Sequence, residues 1–291
     1  MRDLHIDQNY IDSFFKEKKL KIPDFFDFEP DENEYLVLKS STSSALAKYK
    51  SPYFTLLSYK DLQGIKPKDS KQKAFIDSLL DKNILMSVAL GKAGTGKTLL
   101  SIAYALNEYF KNDKDIVLIK PSIYVGGKSN VMGILPGDVN DKMSGIMSSY
   151  MVHINSLLGR DAEHFIFEML ENNRLKYLPV ELARGMSLEN SVVIFDECQN
   201  ADIHTMKTIV SRVASTSKLI CLGDLGQIDA PFRKKESGLH IFLESYAFKD
   251  STATSQITLT SQYRSVLADL CESISDEYYN LEKENNVSNF I

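Results

Sequence analysis

The eight residues Gly91-Lys92-Ala93-Gly94-Thr95-Gly96-Lys97-Thr98 have the types and the spacing to hold a polyphosphate. They fit G-x-x-x-x-G-K-[ST] between an apolar run and an amphipathic stretch, the context in which such a loop wraps phosphate. Glycines let successive backbone N–H groups turn inward, and a helix starting there aims its positive end at the same point. Lys97 would reach the β- and γ-phosphates, the Thr98 hydroxyl would ligate Mg²⁺, and Leu99 completes the contacting stretch. The expected cofactors are ATP and Mg²⁺.

Holding a nucleotide does not imply hydrolysing it. The run "VVIFDECQN" ends in Asp196-Glu197, which would place one carboxylate to hold Mg²⁺ through water and a second to orient the attacking water. Two acids at a strand end also make an ordinary solvated turn; the phosphate loop earlier in the chain is what makes them catalytic candidates. In "CLGDLGQIDAP" another apolar run ends in Gly223-Asp224, with Gln227 three residues on. A neutral amide there could sense the γ-phosphate, and an ordinary turn is the equal alternative.

These side chains need a scaffold. Runs at Ile84–Leu90, Asp115–Pro121, Ser191–Glu197 and Ser217–Asp224 alternate with helical patterns, and Gln256–Gln262 is a plausible fifth strand. Such spacing predicts an α/β fold, a doubly wound, mostly parallel sheet buried on both faces. The sheet domain is expected over residues 71–282, after a small β-containing extension with a short helix over 1–70, and residues 283–291 read as a frayed tail. At 291 residues and 43% hydrophobic, the chain can bury a full core. No run approaches the length of a membrane helix and the start lacks a secretion signal's apolar region, so a soluble, cytoplasmic protein without membrane contact is expected. Cys198, Cys221 and Cys271 show no paired spacing, which argues against a zinc site or disulfide. A net charge of −5 argues against non-specific coating of nucleic acid, while leaving room for a local basic groove.

The blocks "GKAGTGKTLL", "IKPSIYVGGKSNVMGILPGDVNDKM", "ARGMSLENSVVIFDECQNADIHTMKTI", "GDLGQIDAP" and "LTSQYRSVLADL", in this order, resemble the PhoH-like ATPases. The core of that family is similar to the first RecA-like domain of superfamily 1 helicases. The resemblance covers about Ser44 to Ser275, and its lead-in "SSALAKY" is like that of the branch carrying an N-terminal PIN ribonuclease domain. Some seventy residues precede the core here, too few for that domain as well, so no nuclease activity is expected. The resemblance implies that Gln72 reads the adenine edge and that Lys120 and Lys128, flanking a glycine-rich loop, contact nucleic acid. Arg184 and His204 match family positions for which structural roles are equally open. Tyr263 stands where this branch has glutamate before Arg-Ser, and "PFRKKESG" lacks the usual acidic turn.

A single RecA-like unit has no second domain to supply an arginine to the γ-phosphate. Arg264 is the candidate finger, acting on a neighbouring subunit, and a repeated head-to-tail contact closes into a ring. The resemblance points to a homo-hexamer acting on single-stranded RNA or other nucleic acid. Two other readings stand beside it: a nucleotide-gated assembly platform and a small-molecule phosphotransferase.

Overall fold

A strand buried on both faces must present apolar side chains at every position, and this pattern organises the larger part of the chain. The computed structural model describes residues 1–23, 26, 28–58, 61–62, 64–121, 139–159, 162–228 and 234–263. The chain begins with β1 (Arg2–His5), α1 (Gln8–Glu17), β2 (Lys19–Lys21), β3 (Tyr35–Lys39), β4 (Ser44–Lys50) and β5 (Tyr53–Leu56). It continues with α2 (Ser70–Leu80), β6 (Met86–Leu90), α3 (Lys97–Asn112), β7 (Asp115–Lys120), α4 (Val139–Leu158) and α5 (Ala162–Glu171). The remainder is β8 (Leu175–Pro179), α6 (Val180–Ala183), β9 (Ser191–Phe195), α7 (Ile203–Val210), β10 (Lys218–Gly223), α8 (Gly238–Glu244), α9 (Tyr246–Lys249) and β11 (Thr254–Thr258).

Six strands form one sheet in the order β11-β6-β10-β9-β7-β8, and every neighbouring pair is parallel. Alternation along each strand sends successive side chains to opposite layers. Ile116, Leu118, Val192, Ile194, Ile220 and Leu222 face one core, with Phe75 and Leu79 of α2 and Ile102 and Leu106 of α3. Val117, Ile119, Val193, Phe195, Leu219 and Cys221 face the other, with Met206 and Ile209 of α7 and Leu239 of α8. The doubly wound expectation is met, and all five runs read as strands lie in this sheet. Strand β8 was not anticipated. It is an edge strand that ends in proline, a residue edges tolerate, and its register is tied by Arg174 and Lys176, which donate to Asp115 at 2.6 and 3.1 Å. Among the described residues, no helix is long and apolar enough to cross a membrane.

The first strands form a separate five-stranded sheet, β1-β3-β4-β5-β2, around Phe14, Leu36, Leu38, Tyr49 and Phe54. The small extension is therefore as expected, except that its helix follows the first strand. This sheet grips α2. Tyr35 donates to Asp77 at 2.9 Å, and the Lys48 and Lys50 ammoniums donate to Asp81 at 2.7 and 2.8 Å. From the other side Lys218 of β10 donates to the carbonyls of Ser78 and Asp81 at 2.6 and 3.1 Å, and burial brings its ammonium down to about 7. Asn33 anchors the two sheets again through the carbonyls of Thr252 and Thr254, at 2.9 and 3.0 Å.

Candidate nucleotide site

The phosphate loop begins where β6 ends. Gly91 has a φ of 144°, and a Cβ there would land on the carbonyl oxygen of Leu259, so glycine is what lets the chain after β11 close over the loop. Gly96, at φ 93°, precedes α3, and its missing side chain leaves room for the Gln72 amide. The amino end of α3 thus opens onto the cleft. Lys97 Nζ donates to the carbonyl of Gly91 and, at 3.0 Å, to that of Lys92, which also accepts from the Thr95 hydroxyl at 3.0 Å.

In front of the loop lies a cleft of about 540 Å³. Ala93, Gly94, Gly96, Lys97, Thr98 and Leu99 line it from the loop, Lys120 from β7, and Asp196 and Glu197 from the end of β9. Parallel strands bring these together, because their carboxyl ends all emerge on one edge of the sheet. Backbone bonds fix the spacing: Gly91 donates to Gly223 at 3.1 Å, and Asp196 donates to Ile119 at 2.9 Å.

Asp196 is held at both oxygens. Its Oδ1 accepts from the Glu197 N–H at 3.0 Å and its Oδ2 from the Tyr150 hydroxyl, also at 3.0 Å. Burial raises its pKa, as does the neighbouring Glu197 charge, while Lys120 and the two hydrogen bonds act the other way. Glu197 has a φ of 53°, a left-handed conformation that a non-glycine residue keeps only when its surroundings fix it. Gln199 supplies part of that: its Nε2 donates to Glu197 Oε2 at 2.8 Å and to the Gln227 carbonyl at 2.9 Å, and its Oε1 accepts from Asp224 N at 3.2 Å.

The residues fit Mg²⁺. The Thr98 hydroxyl and two carboxylates are hard oxygen donors on one cleft, and Mg²⁺ is usually held by one or two carboxylates plus substrate phosphates.

Gln72 lines the cleft, but its amide also supports the loop, donating to Thr95 O at 3.1 Å and accepting from Lys68 N at 2.9 Å. Lys120 stands inside the nucleotide cleft, beside Asp196, whereas its expected partner Lys128 lies outside the described residues. Gln227 enters through its backbone carbonyl; its side chain is exposed and is not part of the lining. Arg264 lies outside the described residues, as do Cys271 and the 283–291 tail. Arg184 and His204 are exposed and line no part of this cleft.

Five contributors were given no place in this site by the sequence reading. Gln199 stood in plain view two residues after the acids. Ser149, Tyr150 and His153 come from α4, where Tyr150 and His153 fall three apart, on one helical face. Ser149 and His153 line the cleft and burial lowers the His153 pKa. Tyr263 closes the opposite wall, its hydroxyl donating to Asp69 at 2.9 Å and its ring lying 4.3 Å from Lys68 Nζ.

The sequence pattern described as PhoH-like protein matches residues 64–278. Protein PhoH2 of Bacillus subtilis (strain 168) is 28% identical over 284 residues, covering 94% of this chain and 63% of that protein. The PhoH-like protein of the same organism is 28% identical over 204 residues, 69% of this chain and 61% of the other. The chain thus spans less than two thirds of the length of either relative. Among solved structures, the Pif1 helicase from Candida albicans aligns at 17% identity with a TM-score of 0.33, over 68% of this chain and 41% of that one.

Proposed function

Because this chain belongs to the PhoH-like protein family, we propose that it is an Mg²⁺-dependent ATPase whose cycle moves it along, or remodels, single-stranded RNA. The observation carrying the hydrolytic reading is the convergence of Lys97, Thr98, Asp196 and Glu197 on one cleft. In this scheme the loop N–H groups and Lys97 bind the β- and γ-phosphates, and Glu197 orients the attacking water and takes up its proton. Thr98 and Asp196 would hold Mg²⁺, which would neutralise charge building on the phosphate oxygens.

Arg264 of the partner subunit completes the γ-phosphate site in a homo-hexameric ring; such a finger contributes about 10³ to 10⁵ in rate. RNA as the substrate follows from the family likeness, and Lys128 is its candidate contact. An assembly platform that hydrolyses ATP only to reset a partner contact is the second reading, favoured by the acidic balance of −5.

The test is phosphate release from ATP by protein of known oligomeric state, with and without single-stranded RNA. Stimulated release to water supports the proposal. Release that RNA leaves unchanged turns the reading toward a platform, and phosphate recovered on a small-molecule acceptor overturns hydrolysis.

A further inference from the structure

Helix α4 carries a feature that the scheme above does not use. Tyr150 is fully buried in the core between α4 and the sheet, yet its hydroxyl reaches out of that core to Asp196 Oδ2 at 3.0 Å. The opposite oxygen of the carboxylate is tied to the Glu197 N–H at 3.0 Å. A carboxylate held at both oxygens cannot rotate about its Cβ–Cγ bond without losing one of the two. Each oxygen keeps a further lone pair, and those set the directions in which Asp196 can meet a metal-bound water. Ser149 and His153 of the same helix line the cleft beside it.

We propose that Tyr150 is a positioning residue for the Mg²⁺-holding carboxylate: by fixing the plane of Asp196 it makes the metal site competent only while α4 is seated on the sheet. This rests on the ATPase reading and adds to it the element that controls metal engagement. Tyr150 lies about three turns from the start of the helix. A tyrosine that merely satisfied a buried carboxyl would matter to folding and not to the metal.

Tyr150→Phe removes the hydroxyl and keeps the ring. With a fluorescent ATP analogue as probe, binding is measured in EDTA and across an Mg²⁺ titration on the full chain. The expected result is wild-type affinity in EDTA and an Mg²⁺ midpoint raised about tenfold, the scale of one lost hydrogen bond to a charged group. An unchanged midpoint overturns the proposal. A wild-type chain whose nucleotide binding shows no Mg²⁺ dependence, or one that shows it with Tyr150→Phe keeping the same midpoint, overturns this proposal alone; the ATPase reading falls only if the wild-type chain releases no phosphate from ATP in the presence of Mg²⁺. Should the variant fail to fold, 3-fluorotyrosine placed at position 150 keeps ring and hydroxyl. Its fluorine resonance is expected to shift on adding Mg²⁺ to the nucleotide complex, beyond the shift caused by nucleotide alone. No Mg²⁺-dependent shift overturns the proposal.

Discussion

The Gln199 amide donates to the Glu197 carboxylate at 2.8 Å from a side chain with no solvent exposure. Its other amide hydrogen goes to the Gln227 carbonyl at 2.9 Å, so both donors of one buried nitrogen are committed. The acid proposed to orient water and the loop leaving β10 are thereby parts of one network. Gly223 keeps it open: a Cβ there would come within 3.0 Å of Gln199 Oε1 and 2.8 Å of Leu239.

Gln199→Ala is expected to keep nucleotide binding while slowing hydrolysis about tenfold or more, since Glu197 loses the donor that aims it. The cut should also cost about 1–3 kcal/mol of stability, because Asp224 N–H loses its buried partner. Turnover and urea unfolding, measured on the same preparation, check both; wild-type turnover would sink the coupling.

Lys97→Ala should abolish tight nucleotide binding, because it removes the mobile charge on the β- and γ-phosphates. Glu197→Gln should bind as wild type and lose turnover, since an amide cannot accept the water's proton. Equilibrium binding of a labelled ATP analogue separates the two, and equal loss of binding would make Glu197 structural.

Arg264→Ala is expected to assemble and bind ATP, yet hydrolyse it at least about a hundredfold more slowly. Mixed with Glu197→Gln it should regain part of the activity, because some interfaces then pair an intact Glu197 with Arg264 of the partner subunit. With subunit exchange demonstrated first, absence of rescue would eliminate the shared site.

Lys48 is 3% exposed and joins the amino-terminal sheet to α2 through Asp77 and Asp81. Burial would raise the Asp81 carboxyl, but the bonds from Lys48 and Lys50 hold it well below the carboxylate range. A native pKa below the unfolded value means that Asp81 contributes stability above about pH 4, lost as pH falls through the native value. Lys48→Met is therefore expected to cost about 2–4 kcal/mol at pH 7 and to make stability fall less steeply below pH 4. Urea midpoints at pH 7 and pH 3 decide it, and parallel losses in variant and wild type would refute the linkage.

Much of this was legible because its causes are local. The loop is a contiguous pattern, and strands β6, β7, β9 and β10 are apolar at nearly every position. What stayed hidden depends on distant partners. Tyr150 meets Asp196 only after α4 has packed, and nothing near Lys48 in sequence announces Asp77 or Asp81. Lys120 illustrates the converse: its place at a strand end was readable, but not that it would line the same cleft as Asp196, because that depends on β9 lying next to β7. Gln72 was read from its resemblance as an adenine contact, while its support of Thr95 required the loop in three dimensions.

The strand order also sets when the site can exist during synthesis. β7 pairs with β8 and β9, its near successors, so that part of the sheet can assemble as soon as β9 has left the ribosome. β6, which carries the phosphate loop, pairs only with β10 and β11, and Leu90 accepts from Leu259 at 2.8 Å. The earliest-made strand of the sheet is thus among the last to be placed, and such long-range pairing is slow to form. A nascent chain is therefore expected to capture nucleotide only once β10 and β11 have emerged to join β6.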